Sequence, residues 1–258
     1  SLEAGDDAES ERSDADAAEI ADRLDIPGAP WRAQFTHARQ LTWHGDLRAA
    51  KRQARRALET GQAAGEEEAG SIFNPQLYLI LWNEGRLSDV AGALASMPLQ
   101  LPLDRAFACH AYAYLPRPRD AERLLTGLAA RDFSDVPYNG FWLTVMALVA
   151  DAAAHAAAPQ IVDELYELLS PWRDQLVVTQ ATCLGSVAHY VGVLATRLDR
   201  PANADDAFAQ ATEVHERTNA PIWTARTRLE WGRSGITPDR ERGLVQPALA
   251  KPGDHPRG

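Results

Sequence analysis

Between Ala181 and Leu198 the chain reads ATCLGSVAHYVGVLATRL, and its apolar residues return with a helical period. At about 100° per residue, Leu184, Val187, Ala188, Val191, Leu194, Ala195 and Leu198 share one face. Thr182, Ser186, His189, Thr196 and Arg197 share the opposite face, joined only by Val193. The spacing predicts a two-faced helix over 181–198, with one side for a core and the other for water or a ligand. Gly185 and Gly192 lie on a third strip, where each costs about 1 kcal/mol relative to Ala in a helix interior. Glycine kept there predicts close approach by another helix.

The same period governs the rest of the chain. From Trp31 onward helix follows helix, and short β-branched runs such as Val177–Thr179 fall where a loop enters a helix. The helices pair, and the pairs recur about turns at Gly45, Gly85, Pro116, Ala156 and Asp199. Five residues beyond each turn stand Ala50, Val90, Ala121, Ile161 and Ala204. Nine beyond stand Ala54, Leu94, Leu125, Leu165 and Phe208, and twelve beyond stand Ala57, Met97, Leu128, Leu168 and Ala211. Seven before each turn come Ala38, Tyr78, Cys109, Val149 and Gly192, which places them where the helices of a pair cross.

The turn chemistry of GDLRAAKRQARRAL (Gly45 to Leu58) and GRLSDVAGAL (Gly85 to Leu94) is the most specific part of this pattern. It resembles a tetratricopeptide repeat, although the intervals of 40, 31, 40 and 43 residues depart from the usual ~34. The fold expected is all-α, a tetratricopeptide-like right-handed solenoid of about five to six antiparallel helix pairs. The last pair is degenerate: Ala220 to Arg233 makes a good helix with Pro221 in its first turn, and its partner over 239–250 is broken by Pro247. Residues 1–28 read as an acidic, largely disordered tail with a short helix near 17–24, residues 29–250 as the helical-repeat domain, and 251–258 as a frayed tail.

Charge sharpens this division. Of the net −10, residues 1–25 carry −8, from ten acids against two arginines, which leaves −2 for the remainder. The body is nearly neutral, and no direct nucleic-acid partner is expected. No apolar run approaches the ~18 residues of a bilayer span, and no basic-then-apolar leader opens the chain, so no membrane association is expected. Two cysteines, Cys109 and Cys183, form no CxxC pair and no framework, which predicts reduced thiols and a cytoplasmic location. The chain opens on Ser1, as a processed product or a piece of something longer would.

The C-terminal half is more distinctive. LYELLSPW (Leu165 to Trp172), then Val177 and Val178, then TCLGSVAHYVGVLATRL, then HERTNAPIWTARTRLEWGR (His215 to Arg233) resembles the C-terminal helical-repeat region of large bacterial signal-transduction ATPases. These are the LuxR-type, maltose-activator-like regulators and the ATPase-linked nucleotide cyclases. The resemblance spans about Trp31 to Arg233, and it implies a helical fold and a recognition role in signalling. The chain has no GxxxxGK[ST] phosphate loop, cyclase-like sheet or helix-turn-helix, so the resemblance implies neither ATP hydrolysis nor DNA binding here.

In such arrays the first helix of each pair lines the concave face. The register puts Arg39, Trp43, Trp82, Asn83, His110, Tyr114, Ser186, His189 and Arg197 there as candidate ligand- or partner-binding residues, the tryptophans serving equally as packing residues. Ser186 and His189, three apart, have the spacing of a nucleophile and base, but no acid has an evident reason to orient the histidine. Cys109 with His110, or Cys183 with His189, falls short of structural-zinc spacing, so neither a metal nor a cofactor is expected. Arg48, Lys51, Arg52, Arg55 and Arg56 form a basic stripe on one helix, either a solvated face or a seat for the acidic tail.

These features predict a non-catalytic scaffold that binds a protein or peptide partner through its concave face. The alternatives are a small-molecule effector-sensing module of a transcriptional or signalling regulator, and an enzyme using Ser186, His189 or His110. A closed pocket with convergent polar groups marks the sensor, and a long open trough marks the peptide scaffold.

Overall fold

Proline and glycine set the boundaries of the elements. Proline stands in the first turn of helix after helix, where its missing N–H costs nothing: Pro30, Pro102, Pro118, Pro159, Pro201 and Pro221. Between α1 (Ala29–Trp43) and α2 (Leu47–Ala63), Gly45 takes the left-handed φ of 86° that the turn requires. The next residue, Asp46, caps α2 by accepting the Ala49 N–H at 2.9 Å. Asp199 and Asn219 adopt similar positive φ values at later turns, as short polar side chains tolerate.

The computed structural model describes residues 28–235, together with Arg12 and Ile20 in helical backbone. The expected acidic tail, its helix near 17–24, the partner helix over 239–250 and the C-terminal tail otherwise lie outside the described residues. After α2 come α3 (Ala69–Asn83), a 3-10 turn (Leu87–Val90) running into α4 (Ala91–Ser96), α5 (Pro102–Tyr114) and α6 (Pro118–Ala129). Then follow α7 (Trp142–Ala156), α8 (Pro159–Leu169), a two-stranded hairpin, α9 (Val187–Arg197), α10 (Pro201–Arg217) and α11 (Pro221–Arg233). The protein is all-helical apart from that hairpin. The turns anticipated at Gly45, Gly85, Pro116 and Asp199 fall in links between elements, and Ala156 is the last residue of α7.

Consecutive helices pack on one another except at the short α4, and α1, α5, α7 and α9 also pack on the next-but-one helix. The recurring apolar positions supply these contacts: Ala50, Ala121, Leu125, Leu165, Ala204, Phe208 and Ala211 are all fully buried. Full burial of a side chain as large as Phe208 stabilises by about 1.5–3 kcal/mol. Gly192 is the crossing point of α9 and α10, since a Cβ there would lie 2.7 Å from Phe208 Cδ1. One cluster of buried residues runs from Trp43 to Trp223, and a smaller one of Trp31, Phe35, Ala57 and Ala69 sits at the N-terminal end.

The expected helix over 181–198 is only half present. Its first residues form β2 (Cys183–Ser186), paired antiparallel with β1 (Leu176–Val178), and α9 begins at Val187. The reason lies at Gly185, whose φ of 82° no right-handed helix contains, and onto which the Trp223 indole packs at 2.6 Å from a would-be Cβ.

The hairpin ties distant parts of the chain together. Arg39 Nη1 donates to the Thr179 carbonyl at 3.0 Å, and Gln76 Nε2 donates to the Ala181 and Phe35 carbonyls at 2.9 and 2.7 Å. The first helix pair also meets the last helices directly. Trp43 Nε1 donates to the Thr218 carbonyl at 2.9 Å, and a Cβ on Gly45 would lie 3.2 Å from Pro221 Cγ. The first helix pair and the last helices thus meet, with the hairpin buried between them and α11 covering one face of the core through Trp223 and Thr227.

Candidate functional site

Three alternate helices contribute pairs of polar or aromatic side chains four residues apart, which stacks them on one face: Tyr78 and Trp82 on α3, His110 and Tyr114 on α5, Asp151 and His155 on α7. They form a chain of contacts. The Tyr78 hydroxyl lies 2.5 Å from His110 Nδ1, His110 Nε2 lies 3.0 Å from Asp151 Oδ2, and the Tyr114 hydroxyl donates to the same oxygen at 2.7 Å. His155 Nδ1 donates to the Asp151 carbonyl at 2.8 Å. His110 is fully buried and Asp151 nearly so.

Burial alone would raise the Asp151 carboxyl. The hydrogen bond and charge of His110, then His155 and the Tyr114 hydroxyl, instead hold it below the ordinary carboxylate range. Burial lowers His110 against the pull of Asp151, and burial and the Asp151 charge raise both Tyr78 and Tyr114. The Tyr114 hydroxyl donates to an ionised Asp151, the Tyr78 hydroxyl and His110 Nδ1 share a hydrogen bond, and His110 Nε2 faces the same carboxylate.

A second chain of bonds joins α9, α10 and α11. His215 Nε2 accepts the Ser186 N–H at 2.9 Å, so its proton is on Nδ1, 3.2 Å from Thr227 Oγ1. The Thr227 hydroxyl proton then goes to His189 Nδ1 at 3.0 Å, which leaves His189 protonated on Nε2. That nitrogen is buried without a hydrogen-bond partner. Burial lowers His189 to about 4, opposed by Asp151 and reinforced by Arg226, and burial with His189 lowers His215 to about 3. Both imidazoles are neutral at neutral pH. The Trp223 ring lies between the two chains, with centroids 5.8 Å from Trp82, 5.6 Å from His189 and 5.9 Å from His215.

The residues expected on an accessible concave face are therefore mostly inside. Arg39, Trp43, Trp82, His110, Ser186 and His189 are buried, because α11 and the hairpin occupy the space an open groove would have had. Trp82, Asn83, His110 and Tyr114 converge around Asp151 and Arg226, and Trp43, Ser186 and His189 around His215. Arg39 holds the hairpin turn. Arg197 stands exposed at the end of α9, apart from both groups. Ser186 and His189 share no hydrogen bond: Ser186 Oγ accepts the Ala188 N–H at 3.2 Å as the cap of α9.

Sequence reasoning missed Asp151, His155, His215, Trp223, Arg226 and Thr227. Asp151 carried a readable signal as the one acid in the apolar run Trp142–Ala156. Thr227 and His215 carried none, because their role depends on contacts between helices.

One side of this core opens to solvent. A cleft of about 360 Å³ lies between the ends of α5 and α7 and the length of α11, walled by Tyr114, His155, Ile222, Arg226, Leu229 and Glu230, with Arg233 at its edge. The Arg226 guanidinium stacks 3.7 Å over the Trp82 ring and donates Nη2 to Asn83 Oδ1 at 3.1 Å. Tyr114 is 40% exposed and His155 is exposed, so the buried Asp151 chain reaches the cleft through them. Among the described residues no group of three or more His, Cys, Asp or Glu could hold a metal ion. Cys109 and Cys183 are buried free thiols, and burial pushes the Cys109 thiol up to about 12.

Among the described residues the fold is all-helical apart from the hairpin, with a buried polar core that meets solvent at the cleft beside α11. No helix among the described residues is long and apolar enough to cross a membrane. No protein-family model, curated protein or solved structure matches the chain.

Proposed function

We propose that this chain is a non-catalytic recognition module that senses a small molecule in the cleft between α5, α7 and α11. The helices are of the tetratricopeptide kind, a right-handed solenoid of about five to six pairs whose first pair meets the last helices. The observation that carries the reading is the filled interior: an open trough for a peptide is absent among the described residues, and a cleft of about 360 Å³ with convergent polar groups takes its place. The resemblance to the helical region of bacterial signal-transduction ATPases fits a sensing role in a larger cytoplasmic regulator. A hydroxyl–histidine–carboxylate chain exists, but its Tyr78, His110 and Asp151 are buried, and only Tyr114 and His155 of the connected groups reach the cleft.

A metabolite thermal-shift screen tests the proposal. Stabilising hits are expected, and Tyr114→Ala is expected to abolish them. A screen in which every hit survives both Tyr114→Ala and Leu229→Ala would overturn it.

A protein partner is the second reading, favoured by an aromatic patch away from the cleft. Tyr138 is 72% exposed with its ring 5.4 Å from Trp142 and 5.8 Å from Trp172, and Phe141 is 51% exposed. Large exposed aromatics of this kind suit a protein interface. Loss of a captured partner on Tyr138→Ser, with cleft ligands unaffected, would favour this reading.

A further inference from the structure

We infer that the cleft binds a small organic monocarboxylate, its carboxylate against the Arg226 guanidinium and its apolar body against Ile222, Leu229 and Tyr114. The inference rests on the sensing role assigned to this cleft and adds the chemical class of the ligand.

Arg226 is a part-buried cation on the wall of the cleft. No carboxylate among the described residues lies within ion-pair distance of it, and its one hydrogen bond goes to the neutral Asn83. Its Nε is buried with no acceptor at all. A guanidinium withdrawn from water is normally paired, because an uncompensated charge in a low-dielectric site is costly. Here Trp82 covers one face at 3.7 Å and Asn83 fixes the plane, so the fork is held in place before any ligand arrives. A carboxylate in the cleft supplies the missing charge and an acceptor for the guanidinium's Nη groups.

The neighbouring charges set the valence of the ligand. Arg233 is already paired with Glu230 at 2.7 Å and adds no free positive charge. Arg233 and Glu230 cancel as a pair at the cleft edge, and the ionised Asp151 lies behind Tyr114, so a second negative charge on the ligand would meet no further free cation and would face a carboxylate. One free cation among these groups selects a monoanion over a dianionic phosphate. The rest of the wall is apolar: Leu229 is 53% exposed, Ile222 lies in the first turn of α11, and the Tyr114 and His155 rings sit 5.1 Å apart. That surface suits an aryl or alkyl body, and the cleft volume of about 360 Å³ suits a single ring or short chain.

The test uses matched pairs of equal shape and different charge. Phenylacetate, indole-3-acetate and hexanoate are titrated against their amides by calorimetry and by saturation-transfer NMR. At least one acid is expected to bind about tenfold or more tighter than its amide. Arg226→Gln is expected to remove that preference and leave amide binding unchanged. Leu229→Glu, at an exposed position that does not threaten folding, is expected to weaken both ligands through the lost apolar wall and the acid several-fold more than its amide through the added charge. Amides that bind as tightly as their acids, with both lost on Tyr114→Ala, would overturn the carboxylate class and leave the sensing site standing. No binding by any acid or amide at about 10 mM, or acid binding that Arg226→Gln and Leu229→Glu both leave intact, would overturn the proposal and remove its support for the cleft.

Discussion

Replacing Thr227 with Val isolates the polar chain in the core, because the two side chains have nearly the same shape. Thr227 is fully buried, and its hydroxyl is 3.0 Å from His189 Nδ1 and 3.2 Å from His215 Nδ1. Valine fills the space, so the cavity contribution is small, but both imidazoles lose a partner at once. His215 cannot recover by changing tautomer, since its Nε2 is committed to the Ser186 N–H at 2.9 Å. Each stranded buried group costs about 1–3 kcal/mol, which gives about 2–5 kcal/mol for the pair. For a chain of this size that corresponds to a Tm lower by about 5–15 °C. Thr227→Ser keeps the hydroxyl and loses one methyl, for about 1 kcal/mol. Thermal unfolding at pH 7 measures both. Long-range 1H–15N spectra of the wild type are expected to show His215 protonated on Nδ1 and His189 on Nε2. A Thr227→Val protein that melts within about 1 °C of wild type, or a serine variant as unstable as the valine one, would refute the reasoning.

The same histidines fix an acid limit. Their folded pKa values, about 4 for His189 and about 3 for His215, lie below the ordinary 6.5, so the unfolded chain binds more protons as pH falls. Their contribution is complete above about pH 6.5 and is lost towards pH 4, at about 1.4 kcal/mol per histidine per pH unit, and urea titrations across this window should show that slope. Gly185→Ala should lower stability by several kcal/mol in denaturant titrations, because a Cβ would lie 2.6 Å from Trp223 and the backbone has positive φ. Gly192→Ala gains about 1 kcal/mol of helix propensity but meets Phe208 at 2.7 Å, so a net loss is expected in the same assay. Arg197→Ala should change neither stability, within about 0.5 kcal/mol, nor ligand binding, since the side chain is exposed and apart from the cleft.

The helices and their turns were legible because the constraints on them are local. A turn that needs a left-handed residue advertises it as Gly45 or Gly85, and a helix that packs along one stripe repeats its apolar residues with a helical period. Gly192 was legible in the same way, as a close crossing. Gly185 misled: glycine fits both a tight helix crossing and a positive-φ strand residue, and only the Trp223 indole against it separates the two. Ala181–Ser186 lacks strand alternation because the hairpin is buried on both sides, so its pattern matches a helix equally well.

The meeting of the first helix pair with the last helices was not legible, and that is why the candidate site moved. The bond from Trp43 to Thr218 spans 175 residues, and nothing in the repeating pattern reports on contacts at that separation. Trp82 and His110 were expected on an accessible concave face, but both are buried, with Trp223 and Arg226 of α11 against the Trp82 ring. What remains open is the margin at Tyr114, Arg226 and Leu229, of which only Tyr114 stood among the expected residues.

Indole NMR of the 15N-labelled protein during a phenylacetate titration tests the central claim most directly. Trp82 and Trp223 carry the Arg226 guanidinium on their rings, at 3.7 and 5.5 Å, whereas Trp142 and Trp172 belong to the outer aromatic patch. Saturable shifts of the Trp82 and Trp223 indole N–H signals, with Trp142 and Trp172 unmoved, are the predicted result. Unmoved Trp82 and Trp223 signals at saturating acid, or shifts confined to Trp142 and Trp172, would contradict the account.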